Sequence, residues 1–216
     1  MKLSHLILTA SIAITAQSHA QSNISTTNKF SWGENTGWMN WRDAGLPAAS
    51  QGSIIAGSFM SGNIWCENIG YVNLGDGAPS NGASYSNLAG TDFGVNIRRD
   101  NLLGGLAWGE NIGWINFGPF TTLPGNQQAR FDAAAARLRG FAWGENTGWI
   151  NLDDSTHFVA IACPADFNQD GIVDFFDYLD FVDAFSRNLL AADFNADAVI
   201  DFFDYLDFVD AFSSGC

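Results

Sequence analysis

A nine-residue motif that occurs four times constrains this chain more than any other feature. Its copies run from Trp32 to Asn40 (WGENTGWMN), Trp65 to Asn73 (WCENIGYVN), Trp108 to Asn116 (WGENIGWIN) and Trp143 to Asn151 (WGENTGWIN). All four glutamates and seven of the eight tryptophans lie in these copies. Self-similarity at spacings of 33, 43 and 35 residues marks a fold built from one repeated supersecondary unit.

Each copy reads as a hairpin. Apolar and polar residues alternate on both flanks, and Glu-Asn-x-Gly between them supplies turn chemistry, because Asn and Gly accept a positive φ. Two aromatic residues six apart then meet across the strands, where such pairs contribute about 0.2–1 kcal/mol. Cys66 stands where the other copies have Gly, so it is a substitution within a repeat. Residues 132–139 look helical by propensity, but alignment with the earlier repeats makes the segment from Arg137 onward a strand. The expected fold is a mainly β repetitive N-terminal domain over residues 21–162, followed by a small α-helical module over 163–216. Spacing alone is compatible with a barrel, a propeller-like ring or a roll.

The repeated Trp, Glu and Asn admit two readings. Indole faces stack on sugar rings while Glu and Asn bond hydroxyls, which gives a carbohydrate-binding or adhesion module. Alternatively Trp staples the hairpin and Glu or Asn ties up turn amides; a residue every repeat requires more often serves the repeat's fold. A glycoside hydrolase pair such as Glu110 and Glu145 is disfavoured, because acid and nucleophile need different environments. The histidines are His5, His19 and His157, so no Ser-His-Asp or zinc constellation is available, and His157 reads as a boundary residue. The expectation is no enzymatic activity.

Residues 1–20 carry Lys2, an apolar run from Leu6 to Ala16 and small residues before Ala20, the pattern of a secretory signal peptide. The run is short of the ~20 residues of a spanning helix, so no transmembrane anchor is expected. Secretion to the cell surface or extracellular space follows. There Cys163 and Cys216, which bracket the C-terminal segment, are expected to pair as a disulfide. The net charge of −14 excludes a nucleic-acid partner, since nine scattered basic residues cannot neutralise a phosphate backbone. Of that charge, residues 163–216 hold −11.

This acidic segment has its own pattern. Asp166, Asn168, Asp170, Asp174 and Asp177 occupy positions 1, 3, 5, 9 and 12 of a loop with Gly171 at position 6 and the Ile172 carbonyl at position 7. That is the spacing of an EF-hand-type Ca2+ loop, in which alternate oxygen-bearing side chains wrap a hard cation. A second copy lies 27 residues later: Asp193, Asn195, Asp197, Val199, Asp201 and Asp204, with Ala198 in place of the glycine. Each loop runs into the same sequence, DFFDYLDFVDAF, at 174–185 and 201–212.

The duplicated loop-then-helix unit resembles a dockerin domain, over about a quarter of the chain. The resemblance implies a Ca2+-dependent module that plugs its cargo into a cohesin-like or other extracellular protein receptor, often where polysaccharide is handled. It also implies Ca2+ ligation by Asp166, Asn168, Asp170, Asp174 and Asp177 and by Asp193, Asn195, Asp197, Asp201 and Asp204. Two features depart from the family pattern. Ala198 replaces Gly, so the second site is expected to be weaker, and Phe175-Phe176 and Phe202-Phe203 replace a polar recognition pair. On a helical wheel Tyr178, Phe181 and Phe185 form one side of a broad apolar arc. Dockerin-like packing buries these three and leaves Phe175, Phe176, Leu179 and Val182 as a partner-binding face. Phe202, Phe203, Leu206 and Val209 make the equivalent second face. Packing of either stripe on the β domain is the alternative.

Overall fold

The computed structural model describes residues 21–195 and 197–214, so the expected signal peptide at 1–20 and Cys216 lie outside the described residues. Strands β1 (Ile24–Gly33) and β2 (Gly37–Asn40) carry the first copy of the motif, followed by the short β3 (Ile54–Ala56) and β4 (Phe59–Ser61). The second copy forms β5 (Asn63–Cys66) and β6 (Gly70–Asn73); β7 (Val95–Ile97) then precedes β8 (Leu103–Gly109) and β9 (Gly113–Asn116), the third. Strands β10 (Arg130–Asp132) and β11 (Arg137–Arg139) precede the fourth, β12 (Phe141–Gly144) and β13 (Gly148–Asn151), and β14 (Val159–Ile161) ends the β region.

Pairing continues from hairpin to hairpin: β2 with β5, β6 with β8, β9 with β12, and β13 back to β1. The eight motif strands therefore close into one antiparallel barrel, with the six other described strands outside it. This corrects the expectation of a mainly β domain of repetitive hairpin units beside a helical module: the repeats are the staves of a single closed barrel. The physical reason lies in the strand edges. A two-stranded hairpin is marginal alone and leaves unpaired backbone on both sides, whereas closure removes every edge.

The alternation places one residue set inside. Ser31, Met39, Ile64, Val72, Ala107, Ile115, Ala142 and Ile150 are buried, as an eight-stranded barrel just wide enough for side chains requires. The turn residues Thr36, Ile69, Ile112 and Thr147 are buried at one end. Room for them comes from the motif's glycine: a Cβ on Gly109 would stand 2.6 Å from Cγ1 of Ile112. The residue after each motif, Trp41, Leu74, Phe117 or Leu152, is also fully buried, and Trp41 meets Phe117 edge-on at 6.2 Å. Trp41 is the one tryptophan outside the motif, and its indole N–H donates to Ser31 Oγ at 2.8 Å.

The remaining strands flank the barrel. β8 extends beyond it to pair β7, which pairs β4 and through it β3; β1 likewise extends to β14, β11 and β10. The alanine-rich stretch at 133–136 turns between β10 and β11, so tertiary pairing overrides its helical propensity.

Two helices, α1 (Phe175–Ser186) and α2 (Phe202–Ser214), follow the acidic loops. Asp174 caps α1 in a capping box with Asp177, which the Asp-x-x-Asp spacing provides. The helices pack about a local two-fold. Phe181 and Phe208 stack in parallel at 4.0 Å with no exposed surface, and the Tyr178 and Tyr205 hydroxyls approach to 3.2 Å. Cys163 is disulfide-bonded and Cys66 is a buried free thiol; the expected partner of Cys163, Cys216, lies outside the described residues.

Candidate functional site

The first acidic loop folds around its own carboxylates. Asp166 Oδ2 accepts from the Gly171 amide at 2.9 Å, Asn168 Oδ1 from Asp170 at 2.9 Å, and Asp170 Oδ1 from Ile172 at 2.9 Å. Asp177, fully buried, accepts from the amides of Asn168 and Asp174 at 3.0 and 2.8 Å. The second loop repeats the scheme. Asp193 accepts from Asp197 and Ala198, Asn195 from Asp197, and Asp197 from Val199; buried Asp204 accepts from Phe194, Asn195 and Asp201. Asp201 bonds the Phe203 amide as Asp174 bonds that of Phe176.

Among the described residues no three Asp, Glu, His or Cys side chains form a ready-made metal cluster. One atom nevertheless fits a cation. Oδ1 of Asp166 is buried without a hydrogen-bond partner, which is costly for a carboxylate oxygen unless an ion meets it. Burial pushes the Asp166 carboxyl above the ordinary aspartate value, and repulsion from Asp177 and Asp170 adds to this against the Gly171 amide. In the second loop burial also acts on Asp204, but the Asp201, Asn195 and Phe194 amides outweigh it and hold that carboxyl low.

The loops differ where the sequence departs from pattern. Gly171 has φ +94°, and a Cβ there would meet Thr27 of β1 at 2.8 Å. Ala198 takes the same left-handed region, φ +68°, at a cost of roughly 1–2 kcal/mol. The first loop also touches the barrel. β1 is irregular between Ile24 and Lys29, and Thr26 there donates its hydroxyl to the Gln169 carbonyl at 2.7 Å.

Neither apolar stripe of the helices packs on the barrel. Phe175 and Phe176 are each 64% exposed and Leu179 44%; Phe202, Phe203 and Leu206 match them at 63%, 64% and 44%. Val182 and Val209 are half-buried in the helix–helix core.

On the barrel the motif residues divide by role. Each asparagine latches its hairpin to a neighbour: Asn68 Nδ2 donates to the Thr36 carbonyl, Asn111 to Ile69, Asn146 to Ile112 and Asn35 to Thr147, at 2.9, 3.0, 3.0 and 3.2 Å. The four bonds form a closed ring. The aromatic pairs face outward edge-to-face, Trp32 with Trp38 at 4.8 Å, Trp65 with Tyr71 and Trp108 with Trp114 each at 4.7 Å. Glu34, Glu67, Glu110 and Glu145 occupy four equivalent exposed turns. Between the first two hairpins the surface sinks into a groove of about 690 Å3, lined by Trp38, Trp65, Glu67, Asn68 and His157 among others. His157 was expected at a boundary, yet its ring lies 4.5 Å from that of Trp38; no local pattern in the sequence links the two.

Comparison with protein-family models, with curated proteins and with solved structures found no match to this chain.

Proposed function

We propose that this chain is a secreted, noncatalytic attachment protein whose C-terminal dockerin-like module binds Ca2+ and docks an extracellular or cell-surface protein receptor, with the barrel as cargo. The observation that carries the reading is the pair of exposed apolar faces, Phe175, Phe176 and Leu179 on one helix and Phe202, Phe203 and Leu206 on the other. Contiguous exposed apolar surface beside polar loops marks an interaction site. Phenylalanine in place of a polar pair fits a receptor with an apolar cleft, within or outside the cohesin class.

Ca2+ enters as the ion that reconciles the acidic loops. Asp166, through its unpartnered Oδ1, leads the first ligand set, with Asn168, Asp170, the Ile172 carbonyl, Asp174 and Asp177; the second set follows Asp193 in the same way. The ion supplies charge neutralisation, and the chain's residues supply the helix geometry that presents the apolar faces. No described helix is long and apolar enough to cross a membrane. Secretion rests on the signal-like first 20 residues.

The test is capture of envelope proteins by immobilised full-length chain, in millimolar Ca2+ and in chelator. A specific receptor captured only with Ca2+, and lost when Phe175, Leu179, Phe202 and Leu206 are all changed to Ser, supports the reading. Capture that is indifferent to chelator or survives all four changes contradicts it.

A further inference from the structure

The barrel's edge-to-face aromatic pairs are satisfied within each hairpin, but the surface between hairpins holds groups that the fold leaves unused. Strand β2 is joined to β5 so that Asn40 lies beside Trp65, and the outward Trp38 and Trp65 border the 690 Å3 groove from opposite sides. That volume lies within the ~300–1,000 Å3 range of small-ligand sites. Among the described residues Glu67, on the groove's rim, has no hydrogen-bond or ion-pair partner. Asn68 spends Nδ2 on the Thr36 carbonyl and keeps Oδ1. His157 has Thr156 Oγ1 at 2.8 Å from Nδ1, which leaves Nε2. The indole N–H groups of Trp38 and Trp65 have no partner among the described residues, whereas that of buried Trp41 does. Structural need accounts for the asparagine latch and the hairpin pairing; it does not account for an unpaired carboxylate, two unpaired indole N–H groups and the Nε2 side of an imidazole whose Nδ1 faces Thr156 and Asp154, all around one hollow.

We propose that this groove binds a neutral polysaccharide segment, with Trp38 and Trp65 against sugar faces and Glu67, Asn68 and His157 bonding hydroxyls. Apolar walls with a few convergent polar groups suit a ligand that is apolar on its ring faces and polar around its rim. Charge sets the class. Glu67 is the one formally charged side chain among the described residues lining the groove, no Lys or Arg accompanies it there, and the chain carries −14, so uronate or sulfate groups meet repulsion. A compact organic cation would use the aromatic faces but leave the amide oxygen and imidazole unmatched. The polymeric character comes from repetition. The next junction holds a smaller groove of about 340 Å3 lined by Tyr71, Trp108, Glu110 and Asn111. A repeating ligand can engage such successive grooves at once and gains avidity without new contacts.

The experiment is native affinity electrophoresis of the full-length mature chain through gels containing xylan, hydroxyethylcellulose, laminarin or galactomannan, with alginate and polygalacturonate as anionic counterparts. Retardation by a neutral glycan and by neither anionic one is expected, unchanged by chelator, which separates this site from the Ca2+ module. Trp65→Ala should weaken it about tenfold or more. Glu67→Gln alters an exposed side chain without partners, so its fold is preserved even where Trp65→Ala fails to fold, and it should weaken retardation several-fold with an unchanged melting temperature. Retardation by no neutral glycan, by the anionic glycans alone, or to the same degree in folded Glu67→Gln overturns the assignment.

Discussion

Asn35, Asn68, Asn111 and Asn146 occupy one position of the motif and do one job, closing a ring of side-chain bonds between hairpins. Asn111→Ala removes its bond and leaves the Ile69 carbonyl unpaired, so a loss of about 1–2 kcal/mol is expected in urea unfolding. Wild-type stability in that variant would mean the ring is decorative. The repetition pointed to a structural role, expected as a tie to turn amides; instead each asparagine Nδ2 donates to a carbonyl of the neighbouring hairpin. These partners were not legible, because they lie 32 to 112 residues away and no local pattern points to them. The left-handed backbone at Ala198 was legible, because the duplicated spacing puts this residue where the first loop has Gly171, and it takes φ +68°. Ala198→Gly should therefore tighten the second Ca2+ site about tenfold, given the ~1–2 kcal/mol of relief. Equal affinities of the two sites before that change would contradict it. Asp92 offers a pH-dependent case. Bonds from Ser86 and Ser80 hold its carboxyl down to about 2, below its ordinary 3.8. With the folded value depressed, its stabilisation is present above pH 3.8 and is lost as pH falls towards 2. Protection factors of the amides in the 80–92 loop, corrected for intrinsic exchange, should fall as pH drops through that window, and equal protection factors at pH 2 and pH 5 would refute the assignment.

Hairpins and helices were the most readable scale, because both come from local patterns: paired aromatics around Glu-Asn-x-Gly, and the duplicated DFFDYLDFVDAF run with its apolar arc. The helical wheel separated buried from exposed positions only in part, since Val182 and Val209, expected on the partner-binding faces, are half-buried in the helix–helix core. Phe181 and Phe208 are fully buried and stacked, while Phe175, Leu179, Phe202 and Leu206 are exposed. Phe181→Ala should accordingly cost about 3–5 kcal/mol, enough to melt the two-helix module. The Ser substitutions at the four exposed positions should leave its helical circular dichroism intact. Comparable melting in both variants would show that the stripes belong to the core. Of the six strands outside the barrel only β11 was legible, through the alignment that begins at Arg137. Each spans only three residues, too few for an alternation to register, and they are held by pairing that starts from extended β1 and β8.

Barrel closure is a property of the whole molecule and could not be read from any segment. Equal repeats fit a ring, a roll or a barrel, and the deciding pair, β1 with β13, joins Trp32 to Asn151. At this scale the barrel and the acidic module also meet, since Thr26 holds the Gln169 carbonyl and Thr27 crowds Gly171. Binding of the proposed ion in the first loop would therefore act on an irregularity in the strand that closes the barrel. That Ca2+ organises the C-terminal module is decided by calorimetric titration of residues 21–216 with Ca2+. Two binding events of unequal affinity are expected, the tighter one abolished by Asp166→Ala, accompanied by a gain in helical signal. Absence of binding at millimolar Ca2+, or binding that Asp166→Ala leaves untouched, would contradict it.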